Sequence, residues 1–263
     1  MTISTYIKSL QSIEIYAFSW EEVLKNCDSP VPTLRKELVR LTEQNEIINL
    51  RQGFYLIIPP RYQSFGKLPV QLFVNTLFDH LEKDYYVALY SAATVYGASH
   101  QRIQQDYIIT TPPALRDIQK GKFKVRFLNV KNWPRNNIVE KKSDAGVYKV
   151  SSPALTAADL IRFHTKIGGL NRLLSNLEEL VREITVEDMK ALLDWYPNKS
   201  TLQRLGFLLD ELSGKTEVSE KIYENLTKKV YHPILLTPRS GQKAGSTTNR
   251  WKVDININLE YDT

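Results

Sequence analysis

The stretch TLRKELVRLTEQNEIINLRQGFYLIIPP, Thr33 to Pro60, changes period half-way along. In its first half Leu34, Leu38 and Leu41 recur at i, i+4 and i+7, the spacing with which a helix buries one stripe. Thr33, Lys36, Arg40 and Gln44 fall on the opposite face, with Arg35 at its flank. The second half is two short β-rich runs that meet at Gln52-Gly53, where glycine supplies the positive φ of a two-residue hairpin turn. A short basic helix therefore runs directly into a small hairpin with Arg51 and Gln52 at its tip.

Upstream, FSWEEVLKN places Ser19 three residues before Glu22, a capping box that starts a helix at Trp20. Asp28, Ser29, Pro30 and Pro32 end that helix and start the basic one. Ile3, Ile7 and Leu10 predict a helix before both. The order is that of a winged helix-turn-helix, assigned to residues 1–66. In that reading the basic helix lies in the major groove and offers Thr33, Lys36 and Arg40 to base edges or phosphates. Arg51 and Gln52, at the wing, reach the flanking backbone or minor groove. Thr33, Arg35, Lys36, Arg40, Gln44, Arg51 and Gln52 are the candidate DNA-binding residues. The same pattern also suits a module that contacts protein, and the pattern alone leaves both open.

Composition sets wider bounds. The chain has 263 residues, 42% of them hydrophobic and 24% charged, enough for two domains with real cores. A single cysteine, Cys27, excludes an internal disulfide and a cysteine-built zinc site. It is expected to pack as a small apolar residue at the turn. Neither a signal peptide nor a span of about 20 apolar residues is recognisable, so a cytoplasmic location without membrane contact is expected. Net charge is 35 − 29 = +6 and the pI is about 9.2. Residues 1–66 hold seven basic and seven acidic residues, whereas 116–149 hold ten and three, so the surplus sits in mid-chain. Lys122, Lys124 and Arg126 share one face of a predicted strand, with Phe123, Val125 and Phe127 on the other. With Lys131 and Arg135 they form a secondary basic surface, suited either to solvent or to nucleic-acid backbone.

After PPRYQSFGKLP, residues 59–69, which reads as a linker, the chain predicts a larger mixed α/β domain over 67–263. Helices are predicted over Val70–Leu81, through DYYVALYSAATVYGAS to Gly97, and over Pro153–His164. Four more form a helical segment at Gly169–Glu183, Val186–Tyr196, Ser200–Leu212 and Val218–Val230. DYIITT, KFKVRFLNV, GVYKVSS, PILLTP and the strictly alternating RWKVDININLEYD read as strands. The fold class is α+β.

Catalytic signatures are wanting. No phosphate-binding loop, dinucleotide fingerprint or H-E-x-x-H occurs, and His80, His100, His164 and His232 are scattered. His164 is expected to hydrogen-bond at a helix end. Ser91 and Ser99 lack a nucleophile elbow. Gly245-Ser246 ahead of Asp254 and Asn256 resembles a magnesium-binding G-S…D-x-D pattern, but an amide replaces the second carboxylate. No cofactor, metal or catalytic residue is expected.

Four segments in order resemble one family: YIKSLQSIEIYAFSWEEV, LRKELVRLTEQNEIINLRQGFYLIIPPRY, YYVALYSAATVYGASHQ and NRWKVDININLE. Together they are similar to AbiEi, the antitoxin of type IV toxin–antitoxin systems. The resemblance implies a non-enzymatic, phage-defence-associated protein. Its winged helix would repress its own operon by binding inverted repeats in double-stranded DNA. Its C-terminal domain would counteract a nucleotidyltransferase toxin without requiring a stable complex. The alternative reading is a winged-helix regulator whose C-terminal domain senses a ligand or protein partner.

Overall fold

The computed structural model describes residues 1–98, 104–228 and 230–260, and divides into two compact units. Ser99 and His100, and Lys229 within the last predicted helix, lie outside the described residues.

The first unit comprises residues 1–86, 104–130 and 140–149. It begins with α1 (Ile3–Ser12), β1 (Ala17–Ser19), α2 (Trp20–Asn26), α3 (Val31–Glu43), β2 (Ile47–Arg51) and β3 (Phe54–Ile57). The expected capping box opens α2: Ser19 Oγ accepts from the Glu22 amide, and Glu22 accepts from the Ser19 amide. Pro30 is the N-cap of α3 and Pro32 lies in its first turn, where a missing N–H costs nothing because that donor has no intrahelical partner. Leu34, Leu38 and Leu41 turn inward onto Ile3, Tyr6, Phe18 and Ile47. Cys27 is buried in the same cluster, and burial pushes its thiol above the usual range.

Sequence periodicity missed β1, which pairs antiparallel with β3 to give a three-stranded sheet of order β1-β3-β2. Three residues that run straight into a helix cap are too few to show alternation. The unit continues with α4 (Pro60–Gln63), a 3₁₀ turn (Val70–Leu72) and α5 (Val74–His80). One helix over Val70–Leu81 does not form: Phe73 leaves helical geometry at φ −139°, and its buried ring packs edge-on against Phe123.

The strands β4 (Tyr85–Val87), β5 (Asp106–Thr110), β6 (Ile118–Lys120), β7 (Phe123–Asn129), β8 (Ile138–Ser143) and β9 (Gly146–Ser151) form a six-stranded sheet. Its order is β6-β7-β5-β4-β9-β8, with β5 parallel and β6 antiparallel to β7. The start of DYYVALYSAATVYGAS, read as helical, is therefore strand: Tyr85, Tyr86 and Val87 are aromatic or β-branched and fully buried. Asp106 is buried at the start of β5 and ion-paired with Lys67 at 2.7 Å. Burial holds its carboxyl above the ordinary range although the ammonium pulls it down.

The second unit comprises residues 87–103, 131–139 and 150–263. Its helices are α6 (Leu89–Val95), α7 (Pro153–Phe163), α8 (Asn171–Val181), α9 (Val186–Leu193), α10 (Lys199–Ser213) and α11 (Glu217–Thr227). Side-chain caps start four of these: Ser152, Thr185, Asn198 and Thr216 each accept from an amide three residues on. Among its described residues, which exclude Tyr261 and Asp262, the alternating C-terminal run gives only a two-residue strand, β11 (Val253–Asp254), parallel to β10 (Ile234–Leu235). Lys252 enters it at φ +54°, and beyond it a side chain takes over the pairing. Asn256 accepts from the Thr237 amide and donates to the Thr237 carbonyl, at 3.0 and 2.8 Å.

Candidate nucleic-acid interface

On α3 the leucine stripe leaves Thr33, Arg35, Lys36, Arg40 and, just past its end, Gln44 exposed. The helix's inner acid is engaged elsewhere. Glu37 accepts from the Ile3 and Ser4 amides and from Ser4 Oγ at 2.9–3.2 Å, satisfying donors in the first turn of α1. Its negative charge is thereby balanced within the fold, and the outer face keeps Lys36 and Arg40.

The hairpin sits where the sequence puts it. Gly53 takes φ +74°, and its carbonyl accepts from the Trp20 amide at 2.7 Å, tying the turn to the start of α2. A register shift between Asn49 and Arg51 makes a bulge before the turn. Between helix and hairpin lies a groove of about 560 Å³ whose walls include Arg35, Val39, Asn49, Gln52 and Tyr55. Arg35 lies 5.9 Å from the Trp20 ring centroid. Trp20, Asn49 and Tyr55 join the candidate set here. Periodicity could not find them, because they reach the groove from three different elements.

The other predicted residues distribute unevenly. Arg51 is half-buried, with its guanidinium 5.9 Å from the Phe127 ring, while Gln52 beside it is exposed. Lys122 and Lys124 are exposed, and Phe123, Val125 and Phe127 are buried, as the two faces of β7 predict. Arg126 is half-covered and 4.0 Å from Asp117, whose other oxygen accepts from the Phe127 amide. Lys131 and Arg135, both exposed, belong to the second unit.

In the second unit polar residues serve the core. His164 Nδ1 donates to the Ile161 carbonyl at 2.7 Å, the helix-end bond expected of it. Burial, with Arg204 nearby, lowers its pKa and favours the neutral ring. Asp254 accepts from the Gly245 amide at 2.7 Å, so the magnesium-like Gly245…Asp254…Asn256 pattern is a set of loop and strand braces. No group of three or more His, Cys, Asp or Glu suited to a metal ion occurs among the described residues, and none of their helices is long and apolar enough to cross a membrane.

A search of curated proteins found no match. The crystal structure of the RV2827C protein from Mycobacterium tuberculosis superposes with TM-score 0.64 at 16% identity, over 95% of this chain and 89% of that one, a likeness of fold. An antigenic nucleotidyltransferase-like protein from Paracoccidioides brasiliensis gives TM-score 0.28 at 10% identity over 59% of this chain and 84% of that one, too low to carry an argument. A family model, the AbiEi antitoxin C-terminal domain, matches residues 85–211. Over those residues the chain is similar to the C-terminal domain of the AbiEi antitoxin family.

Proposed function

We propose that the chain is the antitoxin of a type IV toxin–antitoxin pair and the repressor of its own operon. In this reading residues 1–66 are a winged helix-turn-helix that binds double-stranded operator DNA, and the C-terminal domain opposes a nucleotidyltransferase toxin. The match over residues 85–211 carries the antitoxin half. The DNA half is supported by the exposed Lys36 and Arg40 face of α3 beside a hairpin tied to α2. The protein acts in the cytoplasm by binding and needs no catalytic step of its own.

The test expresses the gene adjacent to the chain's own, with and without the full chain, and follows growth. Toxicity relieved by the full chain is the expected result; a toxic neighbour that it cannot relieve overturns the antitoxin reading. Gel-shift titration on the upstream DNA tests the repressor half separately, with specific retardation expected.

A further inference from the structure

A second hollow, of about 740 Å³, lies between the loop that follows α3 and the turn joining β6 to β7, within the first unit. Its lining carries two kinds of group. Gln44, Asn49 and Gln63 supply amides, each offering both a donor and an acceptor, with the half-buried Ile48 among them. Lys120 and Lys122 flank Gly121, which takes φ +54° and lets the turn close tightly. No carboxylate lines the hollow, and neither lysine has an ion-pair partner among the described residues. The stem of Lys122 lies against Gly66, itself at φ +58°, where an added Cβ would sit 3.3 Å from Lys122 Cδ. That contact restrains a side chain that is otherwise costly to order on binding.

Two uncompensated cations select an anion, and the volume lies in the range of small-molecule sites and well above that of a bare phosphate. Mixed donor–acceptor amides beside an aliphatic surface suit the edge and face of a nucleobase. The polarity of α3 fixes the orientation. Its carbonyl end brings Thr42 and Gln44 into the lining and repels negative charge there, so the phosphate belongs at the lysine turn. We propose that the hollow binds a nucleoside monophosphate, its phosphate on Lys120-Gly121-Lys122 and its base among Gln44, Asn49 and Gln63. Thr42 and Asn49 also line the groove between α3 and the hairpin, so occupancy would lower DNA affinity. That last consequence alone rests on the DNA-binding reading.

Calorimetric titration of the full chain with AMP, GMP, CMP, UMP and inorganic phosphate tests the site. Saturable 1:1 binding of at least one nucleotide is expected. It should weaken by roughly tenfold or more in K120A/K122A, the loss of charge-assisted hydrogen bonds, and persist in K36A/R40A. Both variants change exposed residues, and a thermal melt checks that they fold. No saturable nucleotide binding, or binding indifferent to K120A/K122A, overturns the proposal. Phosphate binding as tightly as every nucleotide removes the base-reading half. If K120A/K122A weakens DNA binding while no nucleotide binds, the turn is a contact to DNA backbone and the nucleotide assignment fails. Nucleotide binding without any DNA binding would sink the DNA-binding reading and leave this site standing.

Discussion

The N-terminal cluster of residues 3–57 and the helical block after residue 150 use charge in opposite ways. In the first, acids are spent on helix starts: Glu22 caps α2 from within, and Glu37 satisfies the first turn of α1. Lys36 and Arg40 on α3 stay exposed, without a carboxylate partner among the described residues. In the second, cations are drawn inward and consumed. Arg204 is buried with its guanidinium donating to the Leu235 and Leu236 carbonyls at 2.9–3.1 Å. Arg250 grips Asp210 with two bonds, also pairs with Glu220, and lies 4.9 and 4.8 Å from the Tyr223 and Trp251 ring centroids. Net charge hardly separates the two regions; the difference lies in which cations the fold leaves exposed.

Removing the aromatic that anchors the second region tests this most severely. Trp251 is almost fully buried, donates to Asp210 at 2.7 Å, and packs so closely on α10 that a Cβ at Gly206 would lie 2.1 Å from its ring. Trp251→Ala is expected to cost about 3–5 kcal/mol in denaturant unfolding. Gly206→Ala, which overpacks the same contact, should cost about 1–3 kcal/mol. Neither should alter DNA affinity once the fraction of folded protein is matched; a direct loss would mean that this region's charges contact DNA as well. The opposite signature is expected on α3. Lys36→Ala with Arg40→Ala should leave unfolding within about 0.5 kcal/mol of the parent, yet reduce the slope of log affinity against log salt by about 0.9 per lost phosphate contact. An unchanged slope would remove α3 from the interface.

Much of this contrast was written locally in the chain. Ser19-x-x-Glu22, the leucine spacing on α3 and the Gln52-Gly53 turn each act over a few residues, and each took the form the spacing predicts. What escaped depends on distant partners. Tyr85–Val87 joins an unbroken apolar run, and a run buried in a sheet centre has the same hydrophobicity as a buried helix. Val253 and Asp254 alternate with their neighbours over a dozen residues, but Asn256 replaces backbone pairing with its own amide. The α3 face was legible for the same local reason as the helix itself. Trp20, Asn49 and Tyr55 were not, since the groove they line exists only after three elements meet.

Glu37 separates the two uses of charge within a single helix. Although it sits between Lys36 and Arg40 in position, its carboxylate serves α1, so Glu37→Ala should behave as a lost helix cap. About 1–2 kcal/mol of stability should disappear, with the salt slope of DNA binding unchanged. A steeper slope would show that the acid had been offsetting phosphate contacts after all.

The subtlest difference between the regions is a pH dependence that belongs to the second. His164 is buried with Nδ1 donating to a carbonyl, and burial lowers its pKa below the ordinary 6.5. Below that value the unfolded chain takes up a proton that the folded chain resists, so His164 costs stability progressively as pH falls from 6.5 towards its depressed folded value. Above pH 6.5 both states are neutral and the effect vanishes. Urea unfolding of the parent and of His164→Gln between pH 8 and pH 5 isolates it, because glutamine does not titrate. The variant's stability should fall less steeply than the parent's in that window. Parallel curves would mean that His164 accepts its proton without penalty, and that the second region tolerates a second buried cation beside Arg204.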